Sequence, residues 1–418
     1  MDWLPEPLKI PAFRSYWLAR FASTLAQLSM VIVIGWQVYD IARDTMGIQA
    51  ASLRLGLIGL VQFVPLFALS LFAGWTADRL DRRWIARAAV ALELACAIAL
   101  AWMANAGMRN LEAIYVVAAL LGVARAFAGP ALGALAPNLV PREILPRAIA
   151  LSSIAWQVGT VVGPALGGYL YAYRADVPYE VSAVLFALSF LLLMTIPPVA
   201  RPTEARGNPW KQMVDGLHYV RTNKLVLGAI SLDLFAVLLG GATAMLPVYA
   251  RDILHTGPEG LGHLRAAPAV GATLMAIWFA FRPLKSNVGV KMLAAVALFG
   301  VATVVFGLST SMPLSMAALF VLGAADMLSV YVRQSLIQLY TPDAMRGRVA
   351  AVSTLFISAS NELGETESGF LAALVGPVVA VVGGGIGAVL VVLTWSRIFP
   401  QLRLARTFDA PDESRTVN

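Results

Sequence analysis

Apolar residues occur along this chain in blocks of about twenty or more, long enough to cross a bilayer core as helices. Short segments that concentrate charge, proline and glycine separate the blocks. They predict twelve membrane-spanning helices, over residues 16–39, 53–77, 84–104, 111–136, 148–172, 180–198, 225–250, 260–281, 288–309, 313–339, 349–374 and 377–398. The longest interior interval, 199–224, divides the chain into a six-helix half at 1–198 and another at 225–399, with 400–418 as a tail. Within that interval Trp210, Met213, Leu217 and Val220 recur at helical spacing against Lys211, Asp215 and Arg221. That pattern fits either an amphipathic helix on a membrane surface or a plain tether.

Composition agrees with lipid as the main solvent: 59% of residues are apolar and 13% charged, whereas soluble domains average about a quarter charged. An ordinary water-soluble enzyme is excluded. The net charge of +7 is a topology signal, because twenty-two of the 31 lysines and arginines fall in the termini and alternate loops on one side. Six lie on the other side, and Arg20, Arg125 and Arg333 lie inside helices. Basic loops stay in the cytoplasm, so both termini are expected there and nucleic-acid binding is not. The proline-rich start, MDWLPEPLKIPAF, does not read as a cleavable signal peptide. The single cysteine, Cys96, allows no internal disulfide, and His218, His255 and His263 make no metal spacing.

The chain also repeats itself at an offset of 201 residues. Leu121-Gly122-Val123-Ala124-Arg125 falls on Leu322-Gly323-Ala324-Ala325-Asp326, and Pro141, Arg147 and Ser152 fall on Pro342, Arg348 and Ser353. The run from Gly163 to Leu170 falls on Gly364 to Leu371. Predicted helices 4 and 5 thus correspond to 10 and 11. Same-direction duplication of six helices implies two bundles related by a pseudo-twofold axis along the membrane normal, with a path between them.

Three motifs stand on this frame. Gly74-Trp75-Thr76-Ala77-Asp78-Arg79-Leu80-Asp81-Arg82-Arg83 closes helix 2. It resembles the loop signature of the major facilitator superfamily, Gly-x-Leu-Ala-Asp-Arg-x-Gly-Arg-Arg, departing from it at Thr76 and Asp81. The resemblance implies a gate latch made of Gly74, Asp78, Arg79, Arg82 and Arg83, in which a carboxylate pairs with arginines and a helix amino terminus in one gate state. Arg125-x-x-x-Gly129 on helix 4 resembles the superfamily's cavity arginine. Gly159-x-x-x-Gly163-Pro164-x-x-Gly167-Gly168 on helix 5 resembles the signature of its proton-coupled drug exporters. Glycines at spacing four let helices pack backbone to backbone, and Pro164 removes a hydrogen bond from its helix.

Charge inside a bilayer costs ~2.5 kcal/mol or more and marks function by default. Arg125 and Asp326 lie about fourteen and thirteen residues into their predicted helices, near the midplane at ~1.5 Å per residue, and the repeat makes them positional equivalents. They are expected to face each other across the cavity and to be coupled, with Asp233 on helix 7 as a second proton-carrying candidate. Helix 11 adds Glu362, Glu365 and Glu367. Crowded carboxylates in low dielectric share protons, whereas a hydrated vestibule would leave them ordinary. Glu93 on helix 3 and Arg333 on helix 10 read as structural partners.

The expectation is an all-α polytopic membrane protein with the twelve-helix major facilitator fold. The run Ala73–Arg83, Ser231-Leu-Asp-Leu-Phe-Ala-Val237 on helix 7 and Asn361-Glu-Leu-Gly-Glu365 on helix 11 resemble bacterial exporters of the enterobactin-exporter type, and that resemblance implies a proton-coupled exporter of a siderophore or amphipathic drug-like molecule. Such a protein would act as a monomer in the bacterial cytoplasmic membrane, with the bilayer, small molecules and protons as partners and no cofactor or metal. An uptake carrier, a lysophospholipid flippase and a non-transporting receptor remain as alternatives. An enzyme does not, since no nucleophile and base or metal pair occurs within a helix. Asp78→Asn is expected to leave insertion intact and slow turnover, because a latch shifts a two-state balance by ~1 to 3 kcal/mol. Wild-type transport by that variant at equal expression would remove the latch.

Overall fold

A computed structural model describes residues 5–198, 209–282, 284 and 286–408. Twelve long helices carry the chain: α1 Pro11–Arg43, α2 Ile48–Arg79, α3 Arg82–Asn105, α4 Leu111–Leu135, α5 Leu145–Tyr173, α6 Val177–Met194, α7 Lys224–Leu239, α8 Pro258–Phe281, α9 Val288–Leu308, α10 Met312–Leu339, α11 Asp343–Val375 and α12 Pro377–Ile398. Eleven spans are long and apolar enough to cross a membrane among the described residues. The remaining long helix is α11, which the expected span 349–374 anticipates and whose carboxylates lower its hydropathy. Such helices satisfy their own backbone hydrogen bonds, as a lipid solvent requires. Their outward faces carry exposed Trp102, Trp278 and Phe281.

The duplication is visible in the packing. In the first half α1 packs along α5 and α6, α3 along α4 and α6, and α2 along α4. In the second half α7 packs along α11 and α12, and α9 along α10 and α12. Paired glycines mark the equivalence: the backbone of Gly122 abuts Gln62 of α2, while Gly323, 201 residues on, abuts Pro268 of α8. Gly163 likewise meets Leu25 and Leu28 of α1, and Gly364 meets Val237 and Leu238 of α7.

The structure adds three features to these expectations. The apolar run 225–250 is not one helix. α7 stops at Leu239, and a 3-10 turn at Ala242–Met245 and a π turn at Tyr249–Ile253 follow. Gly240 and Gly241 stand at the break, their side-chain positions filled by Phe299 and by Ser368 and Gly364; a hydropathy window does not register such breaks, because glycine interrupts no apolar run. Two compact units result, Met1–Pro209 with Leu246–Ala266, and Trp210–Met245 with Ala267–Asn418. Second, the interval after α6 holds a helix, Pro209–Thr222, that docks on protein through its last turn. Val220 is buried with Val226, Ile230, Ile337, Val349 and Val352, Asp215 pairs with Arg348 at 3.1 Å, and the Tyr219 hydroxyl donates to the Tyr340 carbonyl. Third, the start of the tail is folded. Pro400–Leu404 is helical with Leu402 buried, and the Gly289 amide donates to the Ala405 carbonyl.

Gly167→Val tests the close packing. A Cβ at Gly167 would stand 2.8 Å from the Ser29 carbonyl oxygen, a backbone atom that cannot swing aside. Overpacking of this kind costs about 1 to 3 kcal/mol, so thermal unfolding of the purified variant should begin several degrees lower, while Gly133→Val, which meets nothing within 4 Å, should unfold like the parent. Equal unfolding temperatures would contradict the seam.

Candidate functional site

The helix 5 signature is a seam on α1. Side-chain positions at Gly159, Gly163 and Gly167 point at Thr24, Leu28 and Ser29 in turn, while Gly168 turns to the Pro258 carbonyl and Gly262 at the start of α8. Three glycines therefore bolt α5 to one face of α1, and the fourth seats the segment that follows the α7 break. Pro164 is buried in the same helix.

At the end of α1 a polar cluster ties down that same segment. Arg43 Nη2 lies 3.0 Å from Asp252, and the Tyr39 hydroxyl donates to the other Asp252 oxygen at 2.5 Å. Arg251 reaches Asp40 at 2.6 Å, and Arg109 reaches Asp44 at 2.7 Å and Asp40 at 3.2 Å. Nearby, the Tyr169 hydroxyl lies 2.5 Å from His263 Nε2. The sequence reading used Arg43, Arg109 and Arg251 only to orient the chain. The available signal was adjacent opposite charges, Asp40 with Arg43 and Arg251 with Asp252, on the side poor in basic residues.

At the opposite end of α1's unit, Gly74 and Asp78 of the expected latch lie outside the residues whose side chains are described. Arg79 and Arg82 are engaged. Arg83 serves the fold: it pairs with Asp81 at 2.5 Å and donates to the Ile196 carbonyl. The Asp81 carboxylate also caps α3 by accepting the Arg83 amide. Arg83's hydrogen bond holds the Asp81 carboxyl below the usual aspartate range. Arg87 donates to the Leu193 and Ile196 carbonyls, satisfying the free end of α6.

Among the intramembrane charges, Asp233 is in contact with Arg333 across α7 and α10, both nearly buried. Burying both ions is tolerable only because each supplies the other's counter-charge. Glu93 and Arg333 are therefore not partners of each other: Glu93 accepts from Gln27 and Ser23 of α1. Arg125 Nη1 donates to Gln62 Oε1 at 2.9 Å. Asp326 makes no hydrogen bond or ion pair with any described residue. Glu362 and Glu365 are partly buried and engaged. Glu367 is next in sequence to Ser368, whose hydroxyl fills the side-chain position of Gly241 at the break. Among the described residues no cluster of His, Cys, Asp and Glu could hold a metal ion.

Duplicated six-helix packing, a broken seventh helix and charges within the spans define a multi-pass membrane transporter of the major facilitator superfamily. The chain belongs to the transmembrane secretion effector family of that superfamily, which matches residues 4–413. It is 27% identical over 400 residues to the enterobactin exporter EntS of Citrobacter koseri, covering 95% of this chain and 94% of the relative. It is 26% identical over the same span to EntS of Escherichia coli. A D-xylose-proton symporter has the same fold, with TM-score 0.72 at 14% identity over 94% of this chain and 99% of that one. So does a bacterial homologue of the lysosomal transporter Spinster, with TM-score 0.70 at 15% identity over 96% and 97%.

The polar cluster on α1 gives a direct test. With Ala42→Cys as a buried reporter, Asp252→Asn or Arg43→Gln should raise labelling by a membrane-impermeant maleimide severalfold, the size of a ~1 kcal/mol shift between gate states. The exchange Arg43→Asp with Asp252→Arg should restore protection. Labelling unchanged in both single variants would show that the cluster holds nothing closed.

Proposed function

We propose that this transporter is a proton-driven exporter of a siderophore or amphipathic drug-like small molecule, working as a monomer by alternating access in the bacterial cytoplasmic membrane with both termini in the cytoplasm. The observation that carries the reading is Asp326, a carboxylate about fourteen residues into α10 with no partner among the described residues. An unpartnered intramembrane carboxylate costs ~2.5 to 3.5 kcal/mol when charged. That cost is tolerable if the group binds a proton for part of a cycle and gives it up when substrate or water reaches it. Arg125, the positional equivalent in the other half, supplies a cation for a substrate's acidic groups, and Glu362 and Glu365 add carboxylates to the same pathway.

Two further features support export. The complete glycine pattern on α5 resembles the signature of proton-coupled exporters of this superfamily, and its glycines lie against α1 and the start of α8. The relatives named enterobactin exporters are matched along nearly their whole length, which makes enterobactin the first molecule to try. The proton gradient replaces any cofactor as the source of energy.

In everted membrane vesicles holding a pH gradient, added enterobactin or a lipophilic cationic drug should dissipate the gradient through the wild-type protein. Asp326→Asn should reduce the response at least about tenfold, a loss of ~1.4 kcal/mol in the coupled step. Transport that continues unchanged after the gradient is collapsed would exclude the coupling.

A further inference from the structure

Glu93 is the one carboxylate buried to 0% exposure inside the first unit among the described residues, and the function above does not use it. It lies about eleven residues into α3, near mid-membrane at ~1.5 Å per residue. Its partners are Gln27, whose amide donates to Oε1, and Ser23, whose hydroxyl lies 3.4 Å from Oε2. Both stand on one face of α1, four residues apart, and both are neutral. The contrast with Asp233 is instructive. A carboxylate held by an arginine is matched in its charged form only, whereas a hydroxyl can donate to a carboxylate or accept from a carboxylic acid, and an amide N–H suits the carbonyl-like oxygen of either form. Ser23 and Gln27 thus satisfy Glu93 whether or not it holds a proton.

The surroundings are sparse in charge. From α4, Arg125 acts on Glu93 electrostatically. From α1, Arg20 is a turn away and donates to Tyr16. On α3 itself Cys96 is a turn further on and buried. The titratable groups of α6 are Tyr179 and Glu180, in its first turn. Access to water has a route as well. α1 is bolted to α5 by the glycine seam and packs along α6 as well, while α3 packs along α4 and α6, so a slide of α1 with α5 along α6 and past α3 would part Glu93 from Ser23 and Gln27 and wet it.

We propose that Glu93 is a proton-exchanging group of the transport cycle, its carboxyl releasing a proton to water on one side of the membrane when α1 withdraws and regaining one from the other side in the opposite gate state. The proposal rests on the proton-driven reading and adds a site in the first unit to Asp326 in the second. No co-reactant is required, because the acid becomes a carboxylate and the proton enters water.

Infrared difference spectra of the protein in nanodiscs, titrated between about pH 5 and 9, test it without a substrate. Of the carboxylic C=O bands that appear and vanish with pH in the wild type, one should be absent from Glu93→Gln yet persist in Asp326→Asn, while the band lost from Asp326→Asn should remain in Glu93→Gln. Gln27→Leu should move the midpoint of the Glu93 band, since it removes one donor and leaves the carboxyl. In the everted vesicles, Glu93→Gln should bind enterobactin yet no longer dissipate the gradient, and Glu93→Asp should retain part of the response. A Glu93→Gln spectrum that keeps every titrating band of the wild type, or a Glu93 band that never titrates, would overturn the proposal. So would a Glu93→Gln response equal to wild type, which leaves the exporter reading standing. A wild-type protein with no substrate-driven response would remove the exporter reading itself, whatever the infrared bands show.

Discussion

The close contact between α1 and α5 is what the rest of the first unit depends on. Between apolar helices in lipid there is no hydrophobic driving force, so association rests on van der Waals contact and interhelical hydrogen bonds, and small residues decide how near two backbones come. Gly159, Gly163 and Gly167 bring α5 onto Thr24, Leu28 and Ser29. That fixes the rotation of α1, and the rotation decides what its other faces present. Ser23 and Gln27 then meet Glu93, and Tyr39, Asp40 and Arg43 meet Arg251 and Asp252. Side chains added to the seam would shift the proton site and the polar cluster together.

The second unit repeats the packing with different chemistry. In the first unit α1 offers α3 a hydroxyl and an amide, whereas in the second the polar contact joins a different pair of helices, α7 and α10, as the buried ion pair of Asp233 and Arg333. The repeat preserves glycines at the helix crossings, as Gly122 with Gly323 and Gly163 with Gly364 show, because the crossings determine whether the bundle closes. It does not preserve the polar residues inside, where each half is free to take on a separate task. Arg125 opposite Gln62, and at the equivalent position an Asp326 with no partner among the described residues, are an instance of that divergence.

Much of the fold was legible in the sequence, because bilayer thickness converts directly into run length and the basic loops mark alternate turns. The period of Trp210, Met213, Leu217 and Val220 allows a linker helix without choosing it over a plain tether, and its docking is not legible, since apolar spacing looks alike whether lipid or protein covers it. The α7 break was hidden because Gly240 and Gly241 count as apolar-compatible. In the candidate site, midplane charges could be found by depth, but their pairing could not: Asp233, Arg333, Arg125 and Glu93 are all single charges in apolar runs, and only the crossing of helices selects partners. Glu93 was set aside as structural for that reason. The neutral side chains that define it, Ser23 and Gln27, carry no charge to draw attention in α1.

The central claim is that protonation of one buried carboxyl is linked to movement of α1 against α3. Spin labels at the exposed positions Leu18 on α1 and Trp84 on α3 report that separation by pulsed electron resonance in nanodiscs. The account predicts two distance populations whose ratio changes with pH in the wild type and is held at its acid value at every pH by Glu93→Gln. A single distance at all pH values, or a pH response identical in Glu93→Gln, would contradict it.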